Sequence, residues 1–309
     1  MKEMLTLTKR TIKVYLKNPL SLIFSFVYMV LLIVLLTMFL GDYMTNSMKE
    51  IYGEVQGIGL ENMRWLIDST TMAGVLMINC VLVPLNVLAI MVQDSTDKRL
   101  DSFLVTSVSR DKLVFGYWLA PFIIGSVLNV LCLYIMQGFI VMNGGGWLDG
   151  ITALKMCGLI VANVFSSTSI FFLVAMLMKN ANVYNTATGI VSALVGFITG
   201  VFIPLGVFPE HIKKVFSIIP AHHGATLMRE VMTEAPLSAV FGNVPDQTVK
   251  GTFMTAQEIV DIYAAENGIN YVLDGNKVSF SIMLAVVIGS GILFLVISIF
   301  MMKRAKRRG

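Results

Sequence analysis

The chain has 309 residues, 56% of them hydrophobic and only 14% charged, with a mean hydropathy of +0.78. A water-soluble domain carries about 25% charged residues, so this surface has too little charge to face water throughout, and the composition excludes a soluble globular class. The formal net charge is +4, and its distribution along the chain is more informative than its sum.

Residues 4–17 read as an amphipathic helix lying on the membrane. At 100° per residue, Lys9, Arg10, Lys13 and Lys17 fall within one quadrant, and Leu5, Ile12, Tyr15 and Leu16 gather opposite. A basic face with an apolar back suits an anionic lipid surface. Asn18-Pro19 stops this helix, because proline disfavours helical geometry at the residue before it. A helix needs about 20 apolar residues to cross about 30 Å of hydrocarbon. The uncharged runs that long are 18–41, 69–93, 113–148, 156–178, 180–209 and 278–302, predicting six spans. The first resembles a signal peptide in its basic start, but its length and the lack of a small-residue cleavage site after Leu40 favour a retained span. The third run is too long for one span and too short for two, so the crossing helix is placed at 115–142, with Asn143, Gly144, Gly145 and Gly146 as a loop. Lys179 alone separates the fourth and fifth runs, which requires a tight turn.

Between the spans, residues 42–68 form a polar, net acidic loop. Residues 94–112 are the most charge-dense connection, and Leu100, Phe103, Leu104 and Val108 recur there at helical spacing, predicting a short amphipathic helix parallel to the membrane. Residues 201–229 contain Pro204, Pro209 and Pro220 yet stay apolar. Two short helices dipping into the outer leaflet account for this, a geometry tolerated only where protein or water covers the backbone. Residues 236–277 read as a small outer subdomain. Thr255 and Glu258 form a capping box opening a helix that Gly268 ends, and 271–278 read as a hairpin around Asp274-Gly275.

With the N-terminus inside, the inner segments hold 15 of the 23 Lys and Arg and only five of the 19 acidic residues. Basic residues concentrated in short inner segments give an N-in, C-in orientation. The expected fold is thus an all-α polytopic membrane protein of six transmembrane helices with an N-terminal interfacial helix and a small extracytoplasmic subdomain between spans 5 and 6. Its divisions are the interfacial helix at 1–18, spans 1–5 at 19–206 with the loop 94–112 among them, the re-entrant and outer segment at 207–277, span 6 at 278–302 and a basic tail at 303–309.

No catalytic constellation is visible: the sequence has no phosphate-binding GxxxxGK[ST] loop, no HExxH and no paired metal-ligating cysteines. Cys80, Cys132 and Cys157 all sit in apolar runs and read as free, buried thiols. Neighbouring residues on a helix point about 100° apart, so His222 and His223 read as polar interface groups rather than metal ligands. Gly196 and Gly200 have the spacing that lets helices approach closely. None of the uncharged runs contributes a buried Asp, Glu, Lys, Arg or His, which counts against a proton- or ion-coupled carrier. Asn79, Asn86, Asn129, Gln137, Asn163 and Ser166 are polar groups within spans that need partners, either at helix interfaces or along a substrate path.

Two stretches resemble the type 2 family of ABC exporter permeases. The family's inner loop has an acidic residue, Gly-Thr-Leu-Glu, two hydrophobics, a Pro-Val-Ser-Arg-like segment, then Lys and a new span. Here Asp94 is followed by KRLDSFLVTSVSR over 98–110 in the same rhythm, with Lys98-Arg99 in place of Gly-Thr and Ser107 in place of Pro. Gly200, Pro204, Pro209, Pro220 and Arg229 match, in order, the family's signature after the fifth span. The resemblance implies a permease that pairs as a homodimer or heterodimer and is powered by two separate ATP-binding subunits. ATP and Mg would then be bound by those partners, with no cofactor bound directly and no nucleic acid among the partners. It further implies that Asp94, Asp97, Lys98, Arg99, Asp101 and Arg110 couple the chain to the ATP-binding subunit. The expected role is export of a hydrophobic or amphipathic compound across the cell membrane. The alternatives are a secondary transporter, which the lack of inverted-repeat symmetry disfavours, and a non-transporting receptor or scaffold that binds a partner through its outer segment.

Overall fold

The computed structural model describes residues 2–18, 27, 30–36, 41–99, 110–249 and 252–305. Among these, five helices are long and apolar enough to cross a membrane: Leu60–Thr96, Lys112–Met142, Gly150–Leu177, Ala181–Ile198 and Phe280–Met302. They coincide with five of the six predicted runs. The first run lies largely outside the described residues, as do residues 100–109 with the predicted loop helix and Asp101.

Among the helices whose bounds are described, in chain order, are α1 (Lys2–Leu16), α2 (Asp42–Tyr52), α3 (Met63–Thr96), α4 (Arg110–Met142), α5 (Gly150–Leu177), α6 (Ala181–Ile198), α7 (Glu210–Phe216), α8 (Pro220–Met232), α9 (Glu234–Phe241), α10 (Ala256–Glu266) and α11 (Phe280–Ala305). Two antiparallel hairpins, β1 (Gln247–Val249) with β2 (Thr252–Met254) and β3 (Val272–Leu273) with β4 (Asn276–Lys277), flank α10. Helix α3 is the axis of the bundle and packs on α1, α2, α4, α5, α6, α8 and α9. In its most apolar stretch 83% of the residues are buried, against 17% in α6 and 22% in α11, so α3 is core while α6 and α11 keep their apolar faces outward.

Local chemistry sets the boundaries. Asp149 caps α5 by accepting from the amides of Ile151 (3.0 Å) and Thr152 (3.2 Å), and Asn180 caps α6 by accepting from Asn182 (2.8 Å). Met178 ends α5 and the Asn180 cap opens α6 two residues later, which makes the tight turn at Lys179. Helix α6 ends in a Schellman motif: Gly200 is left-handed (φ 69°), its amide donates to Phe197 O, and Val201 donates to Gly196 O at 2.9 Å. The capping box of Thr255 and Glu258 opens α10. Asp274 (φ 48°) and Gly275 (φ 79°) turn the β3–β4 hairpin, as a two-residue turn with both φ positive requires.

Residues 42–68 are not merely a polar loop. They contain α2, and Tyr52, Val55, Met63, Leu66 and Ile67 share an apolar cluster with Val240, Phe241, Ile259 and Tyr263. Tyr52 meets Tyr263 edge-on at 5.8 Å, and Phe241 lies 5.1 Å from Tyr263. Burial raises the Tyr52 pKa to about 12 and that of Tyr263 further, so both phenols are neutral packing groups.

Candidate functional site

The charged connection 94–112 departs from the C-terminal end of α3 and returns at the start of α4, and the N-terminal helix α1 packs against both. Three contacts fasten α1 to α4. Gly116 lets Leu7 approach so closely that a Cβ there would lie 2.8 Å from a Leu7 methyl. Thr8 donates to Gly116 O at 3.1 Å, and Lys112 donates to Glu3 at 2.6 Å.

At the centre of this junction is Asp94, whose side chain is 3% exposed. Both its oxygens accept from the Arg10 guanidinium, at 2.6 and 3.0 Å, and Oδ2 also accepts from the Tyr117 hydroxyl at 2.8 Å. Arg99 adds a longer ion pair at 3.8 Å. The bidentate bond from Arg10 is charge-assisted on both sides and raises the Arg10 pKa further, so its charge is permanent. One carboxylate thus joins α1, α3 and α4 at the root of the charged connection.

This changes the reading of several residues. Asp94 is buried against its own chain. Asp97 is the C-cap of α3, accepts from Gln93 at 2.9 Å and pairs with Arg99 at 3.5 Å. Lys98 adopts a left-handed backbone (φ 57°), and both it and Arg99 are exposed. Arg110 opens α4. On α1, Arg10 turns inward, Tyr15 is 2% exposed, and Leu5 and Leu16 are outward at 51% and 53%. The stripe packed on the rest of the chain is therefore Leu7, Thr8, Thr11 and Tyr15, of which Tyr15 also belongs to the predicted apolar back.

The expectation that no span buries a charged group also needs correction. Helix α3 extends beyond its uncharged run and buries Asp68 as well as Asp94. Asp68 pairs with Arg64 one turn earlier at 3.0 Å, and Arg64 also reaches Asp42. Arg229 on α8 is fully buried, with no carboxylate partner among the described residues. Its Nη2 donates to Thr199 O at 2.6 Å and its Nε to Thr70 O at 3.3 Å, so the guanidinium ties α8 to the C-terminus of α6 and to α3. The negative end of the α6 dipole favours this cation.

The other signature residues have structural roles. Pro204 precedes a 3₁₀ turn (Leu205–Val207), Pro209 is the N-cap of α7 and Pro220 is the first residue of α8. His222 and His223 each place one ring nitrogen near a carbonyl (Ile198 and Ser217) and pack on Tyr271, at 4.5 and 5.6 Å between rings. No cluster of potential metal ligands occurs among the described residues.

The polar residues within spans divide into three groups. Asn129 donates to Gly125 O in its own helix, and Gln137 donates to Gly146 O, pinning the glycine loop. Asn79 is buried, whereas Asn86 is exposed. Asn163 and Ser166 line an apolar cavity of about 530 Å³ between α3, α5, α6 and α11. Ser166 also meets Ser290 of α11 at 2.9 Å.

No match was found among curated proteins. The family described as ABC-2 type transporter matches residues 2–233, three quarters of the chain, and that span takes in α1, the Arg10–Asp94–Tyr117 junction, the charged connection and the signature from Gly200 to Arg229. With its apolar spans, the chain is therefore a multi-pass membrane protein belonging to the ABC-2 type transporter family, a permease component of an ABC-type transporter.

Proposed function

We propose that this chain is the membrane half of an exporter in the cell membrane, moving a hydrophobic or amphipathic compound outward with power from two separate ATP-binding subunits. In this reading it has six spans, N-in and C-in, the first at 18–41, and works as a pair with a second permease subunit. The connection 94–112 faces the cytoplasm and receives the ATP-binding subunit.

The observation that carries the reading is the Asp94 junction. A subunit pressing on an exposed loop moves a membrane domain only if the loop is rigidly joined to several helices. Asp94 provides that joint through Arg10 and Tyr117, while Asp97, Lys98 and Arg99 remain exposed beside it. A charged, externally accessible element tied to a buried junction transmits rigid-body motion between packed parts.

The test is co-purification from cells expressing the ATP-binding subunit. The tagged chain should retain that ATPase, and reversing the exposed charge of Lys98 with Lys98→Glu should reduce its recovery severalfold while leaving the melting temperature unchanged. If the wild-type chain retains no ATPase, the proposal fails.

A further inference from the structure

At the Met63 end of α3, opposite the Asp94 junction, α10 joins the apolar cluster around Tyr52 and Tyr263. Its last turn borders a cavity of about 270 Å³, enclosed by the turn at Leu205–Gly206, by Lys213 of α7 and by the residues leading into β3. Two contacts fix its walls. Gly206 approaches the end of α10 so closely that a Cβ there would collide with the Glu266 backbone, and the Tyr271 hydroxyl donates to Lys213 O at 2.8 Å. The space is therefore preformed between the segment after α6 and the unit of α10 and β3. Its volume falls just below the usual range for drug-sized ligands, so an occupant must be smaller than those.

Asn270 carries chemistry that the fold does not use. It is 9% exposed, its backbone amide donates to Ala264 O at 3.0 Å, and its side-chain amide makes no hydrogen bond among the described residues. The free amide oxygen of Asn129 is sealed in packing, but the polar atoms of the Asn270 side chain are not sealed, and the space this nearly buried residue lines is the cavity. An amide offers a donor and an acceptor side by side, and a buried one gains most from a ligand that meets them. Glu266, on the same lining, is exposed and forms no ion pair among the described residues. Lys213 is paired with Glu210 at 2.9 Å, so the uncompensated charge of the lining is one carboxylate. Glu266 is also the last residue of α10, and the C-terminal pole of a helix favours a cation. Leu205, Ile262 and Val272 add apolar surface. An anion would be repelled here, and a bare hydrocarbon chain would cover the Asn270 amide without bonding it, which is costly.

We propose that this cavity binds the amino end of a peptide with an apolar first side chain: the ammonium meets Glu266, the first amide group meets Asn270, and the side chain lies against Leu205 and Ile262. The proposal goes beyond the exporter reading and does not depend on it. It makes the segment around α10 a recognition site in its own right.

The test uses the purified full chain in lipid nanodiscs and a ligand-detected NMR titration. The probe is leucinamide, compared with 4-methylpentanamide, the same molecule without its amino group. Leucinamide should bind about tenfold more tightly, the discrimination of one charge-assisted hydrogen bond. Glu266→Gln, at an exposed position that leaves folding intact, should weaken leucinamide about tenfold and erase the difference between the two compounds. Asn270→Leu keeps the side-chain volume and breaks no internal hydrogen bond, so its melting temperature should hold while both compounds bind severalfold more weakly. No binding of leucinamide, equal binding of the two compounds to the wild-type chain, or leucinamide binding unchanged in both variants would overturn the site. Tighter binding of glucose, a neutral ligand whose hydroxyls suit an amide and a carboxylate, would overturn it as well. The titration needs no ATPase, so its failure leaves the exporter reading standing, and a chain that retains no ATPase in co-purification leaves this site standing.

Discussion

Replacing the two partners of the Asp94 junction should have unequal effects. The Asp94 side chain is 3% exposed and that of Arg10 is 32% exposed, so each single variant leaves a different orphan. Arg10→Met leaves a buried carboxylate with only the Tyr117 hydroxyl and a distant Arg99. Breaking a fully buried pair costs about 3–5 kcal/mol and an exposed one about 0–1 kcal/mol. We expect about 3 kcal/mol for Arg10→Met, near the buried limit. Asp94→Asn leaves a guanidinium that can turn to water and a neutral amide that still bonds Tyr117, and should cost about 1–2 kcal/mol. The double variant removes both charges together and should be less destabilised than the two single effects combined by about 2 kcal/mol, the signature of direct coupling. Chemical unfolding in mild detergent, followed by the fluorescence of the three tryptophans, measures all four corners of the cycle. Additive effects, or Asp94→Asn costing more than Arg10→Met, would refute the junction as described.

Other changes test the rest of the scaffold. Arg229→Met trades two carbonyl bonds of about 1.5–3 kcal/mol each against a guanidinium desolvation of several kcal/mol. The two terms nearly cancel, so its melting temperature should stay close to wild type. Arg229→Lys keeps the buried charge but cannot span both carbonyls, and should melt below the Met variant; the reverse order would rule out the staple. Gly200→Ala forces an L-residue to φ 69° and should cost about 1–2 kcal/mol in the same unfolding assay. At the capping box, bonds from Thr255 lower the Glu258 pKa. Its stabilisation is therefore complete above the unfolded carboxylate pKa and is lost as the pH falls through the lower folded value. Amide exchange in the first turn of α10, corrected for its intrinsic pH dependence, should rise on acidification, and Glu258→Gln should flatten that response.

The spans were legible because lipid imposes a length on uncharged sequence, and the turns because Gly200, Asp274-Gly275 and the Thr255 box each solve a local backbone problem written within a few residues. Helix α2 was missed although Met44, Met48 and Tyr52 recur every four residues; its polar composition hid an apolar stripe that becomes core only when α9 and α10 cover it. The partner of Asp94 was not legible for a different reason. A carboxylate at the end of a span gives no sign of its cation, and Arg10 is 84 residues away. The same limit applies to the polar residues within spans. Asn129 is partly satisfied by its own helix and Asn163 is too, yet one is sealed in packing and the other faces a cavity; only the arrangement of α6 and α11 distinguishes them.

Helix α3 links these features. Its 34 residues extend about 51 Å at 1.5 Å per residue, longer than the hydrocarbon layer, and each end is held by a buried aspartate paired with arginine. Asp94 joins α1 and α4 at one end; Asp68, with Arg64 and Asp42, joins α2 at the other. Between them, Pro84 lacks the N–H that would bond the carbonyl four residues earlier, and its ring packs near Gly125 of α4. The axis is therefore clamped at both ends and weakest in the middle. The cavity wall from Met77 to Val81 lies just before that weak point. A displacement imposed at Asp94 can then be taken up near Pro84, beside the cavity, while the Asp68 end stays fixed. That arrangement would let motion at the charged connection reach the apolar cavity beside α5 without disturbing the packed cluster around Tyr52 and Tyr263.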